Sequence, residues 1–317
     1  GLGGKLTGNY RIDDRSNAYM TYTNETDRPD LAYRGRIGTL VFGTDYKLSD
    51  QARIYSESRW ADGAGPNSLV QAFGLDLAPN DRWTYGIKAE IGTVSDEVSG
   101  DMDRYAGGVS VAYKYKNLKY ASALEYRRET GTIEDRDTWL MKNSIGYQVN
   151  PSWRLLGKFN FSRSYSSQGS FYDGNYIELV TGAALRPVTH DRLNMLFKYT
   201  YFENVPSPAQ FTSGGVIADY AQRSHVFSID TIYDLFPWLS VGAKYGLRIG
   251  EIRATKVAGD WYSSTADLIV LRADLRLVRE WDALIEARRL KVYEAHDERM
   301  GFLVGVYRHI NKNFKMG

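Results

Sequence analysis

The chain has no cysteine. This excludes disulfides, thiolate metal sites, iron–sulfur clusters and cysteine nucleophiles. Proline is scarce, at 8 of 317 residues, so little interrupts extended pairing. No run approaches the roughly 18 uncharged apolar residues of a membrane-crossing helix. Charge of one sign is missing too: 40 Lys+Arg against 38 Asp+Glu leaves +2, which excludes a strongly basic nucleic-acid binder. The four histidines, His190, His225, His296 and His309, have no local ligand spacing. Neither a Ser/His/Asp group nor a phosphate loop is set out along the sequence, so no metal, no cofactor and no enzymatic activity are expected.

What is abundant is aromatic residues and glycine: 24 Tyr, 12 Phe, 7 Trp and 30 Gly. That composition suits strands. Runs of about 9–14 residues alternate apolar and polar with period two, and turn residues separate them. In 82–91, Trp83, Tyr85, Ile87, Ala89 and Ile91 share one face, with Arg82, Thr84, Gly86, Lys88 and Glu90 on the other. The pattern predicts strands near 4–12, 17–25, 35–48, 51–60, 68–78, 82–93, 103–115, 118–128, 137–149, 152–164, 175–186, 191–203, 222–235, 238–250, 263–279, 281–293 and 299–310, with an eighteenth from Asn313.

The connections alternate in length. Tight ones at 13–16, 49–50, 79–81, 116–117, 150–151, 188–190, 236–237, 279–280 and 310–312 are interleaved with long ones at 27–34, 61–67, 94–101, 129–136, 165–174, 203–221, 251–262 and 294–298. This is the pattern of an up-and-down antiparallel barrel with unlike ends. A barrel of about eighteen strands is too wide for side chains to fill, which argues for a wet interior and an apolar exterior. The tryptophans agree. Trp83, Trp153, Trp238 and Trp281 follow short turns, and Trp60, Trp139 and Trp261 sit at the long-loop ends, as two interfacial belts would. Tyr113, Tyr115, Tyr147, Tyr199, Tyr201 and Tyr233 reinforce them.

The hairpins Leu77-Ala78-Pro79-Asn80-Asp81-Arg82-Trp83 and Tyr147-Gln148-Val149-Asn150-Pro151-Ser152-Trp153 are similar to periplasmic turns of bacterial outer-membrane barrels. Over its whole length the chain resembles a porin-like outer-membrane β-barrel, and in particular the C-terminal barrel of a larger outer-membrane protein. The resemblance implies an all-β transmembrane antiparallel up-and-down barrel of about 18–20 strands, with short periplasmic turns and long extracellular loops. It makes residues 1–317 a single barrel domain in the bacterial outer membrane, incomplete at one or both ends, in contact with lipid and lipopolysaccharide.

Sorting charges by face puts Arg82, Lys88, Arg104, Lys114, Lys142, Arg154, Lys158, Lys198, Lys244, Arg248, Arg272 and Arg276 toward the interior. Lys119 and Arg127 join them, and inward bases outnumber acids roughly two to one. Some should pair along the wall, as Lys88 with Glu90, and Asp274 with Arg272 and Arg276. The acidic stretches 96–103 and 134–137 are expected to be solvated loops, and 203–221 is expected either to fold into the mouth as a constriction or to be a mobile loop. The expected function is a channel whose basic lumen favours anionic solutes or an anionic polymer. The alternative is a scaffold barrel that surrounds a partner polypeptide such as a surface protein, export partner or electron carrier.

Overall fold

A computed structural model describes residues 3–25, 37–63, 67–96, 99–189, 191–205, 220–278, 280–311 and 314–316. Each strand predicted above is present. They are β1 (Gly4–Arg11), β2 (Ser16–Glu25), β3 (Ile37–Ser49), β4 (Ala52–Gly63), β5 (Asn67–Asn80) and β6 (Trp83–Asp96). Then come β7 (Gly100–Tyr115), β8 (Leu118–Gly131), β9 (Asp135–Gln148), β10 (Trp153–Ser166), β11 (Gly174–Leu185) and β12 (Leu193–Val205). The last six are β13 (Ala221–Phe236), β14 (Leu239–Arg253), β15 (Tyr262–Val278), β16 (Trp281–Val292), β17 (Asp297–Asn311) and β18 (Phe314–Met316). Every strand pairs antiparallel with its neighbours in sequence, giving one 18-stranded sheet. Among the described residues β1 pairs only with β2, and β18 only with β17.

The short turns are closed by side chains that mimic backbone. Asn80 Oδ1 accepts from the N–H groups of Arg82 (2.9 Å) and Trp83 (3.1 Å). Asn150 does the same for Ser152 and Trp153, both at 2.9 Å, and Asp13 for Arg15 and Ser16, both at 2.7 Å. Such Asx turns reverse the chain within a few residues and leave a tryptophan as the first strand residue in two of the three cases.

At the other end the hairpins run further than alternation predicts. The expected loop 94–101 shrinks because β6 reaches Asp96 and β7 starts at Gly100; that at 129–136 shrinks because β8 reaches Gly131 and β9 starts at Asp135. Apolar alternation stops where hydrocarbon stops, but the hydrogen-bond ladder needs no hydrocarbon. Polar cross-strand pairs carry it on, as where Tyr126 Oη donates to Asp137 at 2.5 Å.

The register fixes the two faces. Ile87 lies opposite Leu75 and Val109, and all belong to the apolar face. Ile87 is 56% exposed and Val109 is 55% exposed, as are dozens of other large apolar side chains, while the buried apolar residues are few and mostly small. A sheet this apolar on its exposed side has no dry protein core to hide it, and hydrocarbon is the solvent that fits it. Rings cluster on the same face near the turns: Trp83 on Tyr85 (5.8 Å, stacked), Trp83 on Tyr113 (4.5 Å) and Phe236 on Trp238 (5.5 Å). Trp60 and Trp139, the latter against Tyr126 at 4.8 Å, stand about nine residues up their strands, roughly 30 Å along a strand and enough for a tilted strand to cross the apolar band.

Trp261 does not share that level. It lies far above the turn end, clamped between Arg223 (4.4 Å) and Arg253 (4.9 Å), so it belongs to the water-exposed hairpin ends and not to the belt.

Ile87 stands midway between the belts. Ile87→Lys should therefore lower folding stability by about 2–4 kcal/mol, read from denaturant titrations of protein folded into lipid vesicles.

Candidate functional site

The polar face carries the chemistry. On β2 to β8 its long side chains reach across strands and form an ion-pair ladder. Arg53 meets Asp76 at 2.6 Å. Glu57 accepts from Tyr19 Oη at 2.5 Å and from Arg59, whose other nitrogen reaches Glu90 at 2.8 Å. Lys88 bridges Glu90 (3.0 Å) and Glu125 (2.5 Å), and Arg127 meets Glu125 at 2.7 Å. The Lys88 stem crosses Gly108, where a Cβ would stand 3.2 Å from Lys88 Cε, so this glycine makes the crossing to β8 possible. Arg104 Nε donates to Glu129 at 2.7 Å, and Glu129 is buried.

Some of the acids expected in solvated loops are instead part of this packing. Glu134 is 1% exposed, accepts from Ser99 Oγ (2.5 Å), and pairs with the equally buried Arg136 at 2.7 Å. The reason is geometric. Continuing β8 and β9 as a ladder turns Arg136 to the polar face opposite Glu129, where water is already displaced by side chains.

The basic residues expected on this face fall into three groups. Lys88, Arg104, Lys158 (Glu178, 2.8 Å), Arg272 (Asp274, 2.7 Å) and, loosely, Lys244 (Asp230, 3.9 Å) are paired with carboxylates. Arg248 donates to Ser264 at 2.6 Å, and Arg276 lies opposite Asp282 beside a register shift. Lys114, Lys119, Lys142, Arg154 and Lys198 stand exposed on the polar face of β7 to β12, with no ion pair to a carboxylate among the described residues. Arg82 leaves the group: it sits in its turn with the guanidinium 4.2 Å over the ring of Tyr115, a residue of the apolar face. A side chain in a two-residue turn is free to choose either face, and the tyrosine belt takes this one.

The candidate constriction lies mostly in 206–219, outside the described residues. A different contact joins two loops. Lys256, 2% exposed, donates to the Phe171 carbonyl at 2.5 Å, tying the β14–β15 connection to the β10–β11 connection across the intervening hairpin. Nothing local in the sequence marks this contact, since its partners are 85 residues apart.

Above the strands, Glu294 accepts from the backbone N–H of Thr265 (2.7 Å) and from Ser263 Oγ (2.9 Å). Those donors, the Thr265 N–H first, hold its carboxyl down to about 2. A lowered carboxyl favours the folded hairpin above the unfolded value of 4.5 and loses that contribution as pH falls toward 2. Among the described residues no group of three or more His, Cys, Asp or Glu is placed to hold a metal ion.

No protein-family model matches the chain, and no curated protein sequence matches it. Solved structures do. The copper transporter OprC superposes with TM-score 0.59 at 9% identity, over 97% of this chain and 64% of that one. The siderophore receptor PirA from Acinetobacter baumannii gives 0.54 at 7%, over 94% and 60%. The alcaligin outer-membrane receptor FauA from Bordetella pertussis gives 0.53 at 12%, over 98% and 63%. The chain thus spans less than two thirds of the length of these proteins.

Two outcomes are expected. Arg104→Met should cost about 3–5 kcal/mol because Glu129 is left charged, buried and alone, whereas Arg104→Met with Glu129→Leu should recover most of the loss in the same unfolding titration. The protection factor of the Thr265 amide, taken against the intrinsic exchange rate at each pH, should fall as pH drops from 4.5 toward 2, and Glu294→Gln should show the lower protection factor at pH 7. Fold, face polarity and structural likeness converge on one statement: the chain has the antiparallel β-barrel fold of the outer-membrane proteins it superposes on, with an exposed apolar face suited to hydrocarbon.

Proposed function

We propose that this barrel is a channel with a water-filled interior that passes anionic solutes. The observation that carries the reading is the set of cations Lys114, Lys119, Lys142, Arg154 and Lys198 on the polar face of β7 to β12, none of which has a carboxylate ion pair among the described residues. A paired cation projects little field, because its carboxylate cancels it within a few ångströms. An unpaired one attracts anions over about 8 Å at physiological ionic strength. Two unit charges 4 Å apart are worth about 1 kcal/mol in bulk water and about 4 kcal/mol near a protein wall, so a few such cations are enough to bias permeation. Their side chains are exposed, as a wet lumen requires, while the ladder on β2 to β8 rigidifies the adjoining stretch of wall.

The similar structures are a copper transporter and receptors of the outer membrane and of siderophores, which is consistent with solute passage in a barrel of this build. Reconstitution into planar bilayers tests the proposal. A conducting barrel with anion-selective reversal potential in a salt gradient is expected. Arg154→Glu with Lys158→Glu should lower the anion-to-cation permeability ratio severalfold. An unchanged ratio would show that these side chains do not face the permeation path. A non-conducting barrel that co-purifies with a fixed polypeptide would favour the scaffold role instead.

A further inference from the structure

The geometry points to a discrete binding site for a multivalent oxyanion at Lys119, Arg154 and Lys158, low on the inner wall between β8 and β10. Gly146 of β9 is its centre. Gly146 lies in register with Lys119 on one side and Leu156 on the other. A Cβ built on Gly146 would stand 3.3 Å from Arg154 Nη2 and 3.8 Å from its Nε. The Arg154 side chain therefore turns the Nε/Nη2 edge of its guanidinium toward the glycine, reaching from its own strand over β9, the strand between it and Lys119. The floor around it is low: Ala121, Ser144, Gly157 and Val180 line the same recess, of about 300 Å³. A larger recess of about 660 Å³ adjoins it, with Lys142 and Asn160 at its wall and Lys158 shared between the two.

Neither recess is lined by a carboxylate. The contrast with the rest of the polar face is direct. The recess over β1 to β5 contains Asp45, Glu57 and Asp76 beside its arginines, and that over β3 to β9 contains Asp76, Glu90 and Glu125. There the cations are already answered. Here only Lys158 has a carboxylate partner, Glu178, which also accepts from Asn160 (2.9 Å) and Tyr176 (3.2 Å) and so is well occupied. Lys119 and Arg154 hold their charge over small side chains with room above them.

A ligand with two or more negative oxygens fits this arrangement. A guanidinium offers two parallel N–H groups to one carboxylate or phosphoryl group, and an ammonium takes a further oxygen from the side. A monovalent halide uses only one of these contacts. The inference deepens the anion-channel reading by giving the path a station, and it rests on that reading for its use.

Titration calorimetry of the detergent-solubilised protein at low salt, with tripolyphosphate and citrate as probes, tests it. Saturable binding at one site per chain is expected, and the stronger probe tells phosphoryl from carboxylate ligands. Lys119→Gln with Arg154→Gln should weaken binding about tenfold or more, consistent with the loss of two charge-assisted contacts. Gly146→Ala keeps every charge and displaces only the guanidinium, so it should weaken binding severalfold. Lys5→Gln with Arg11→Gln removes the same charge from distant β1 and should leave binding within about twofold if the site is local. Equal losses in the two double variants, an unaffected Gly146→Ala, or binding that never saturates would each overturn the site. Bilayer conductance of the same preparation separates the two proposals. A barrel that binds but does not conduct removes the channel and keeps the site; one that conducts anions without saturable binding removes the site and keeps the channel.

Discussion

In hydrocarbon no water is present to satisfy a peptide N–H or C=O, and each unsatisfied group costs several kcal/mol. Every other feature of this chain follows from that constraint. It demands that each strand pair on both sides, and the consecutive antiparallel registers from β1 to β17 meet it with little irregularity. Register shifts are confined to strand ends near the short turns, such as Lys47/Ser49, Asp234/Phe236 and Arg276/Val278. The outer edges of β1 and β18 are where the demand stays open among the described residues.

Once the ladder is fixed, the period of two assigns every side chain to lipid or to lumen, and the two faces solve different problems. The lipid face needs only apolar bulk with rings at its margins. The lumen face must place charge in a restricted aqueous space. Pairing is the cheaper solution where side chains crowd, because a half-buried cation without a partner loses hydration and gains nothing. That is the state of Lys88, Arg104 and Arg127, each beside a carboxylate that is itself buried or nearly so. Where the neighbours are alanine, serine and glycine, as around Lys119 and Lys142, the ammonium remains hydrated and an unpaired charge costs little.

Much of the fold was legible because a strand's face and end are local properties. The alternation at 82–91 and the tight connections before Trp83 and Trp153 are contained within a few residues, and so were read correctly. The long loops were overestimated because only the apolar signal was followed past Asp96 and Glu129, and the ladder continues beyond it. Which of the bases expected on the polar face is paired depends on neighbours that arrive from other strands. Lys88 was expected to meet Glu90, two residues away, and it does; its shorter contact, to Glu125, needed the registers of β6, β7 and β8 together. Trp261 and Arg82 were misplaced for the same reason, since their partners are fixed by packing; Glu134 pairs with Arg136 two residues on, but its burial beside Ser99 depends on chain that arrives from 35 residues away.

Gly108 and Gly146 show how close the two uses of the lumen wall are. Each removes a Cβ from the polar face so that a long cation from a neighbouring strand can lie across it: Lys88 over Gly108, Arg154 over Gly146. The device is the same, and what differs is the far end. Beyond Gly108 waits Glu125, and the result is a strut between strands. Beyond Gly146 waits Lys119, which cannot accept a hydrogen bond and repels the guanidinium. Lys119 and Arg154 line one recess, and water or an anion has room to stand between the two charges. An oxyanion that bridges them would add two attractions where no carboxylate already supplies them, so this stretch of wall, cheap to leave hydrated, is also the one with most to gain from a ligand.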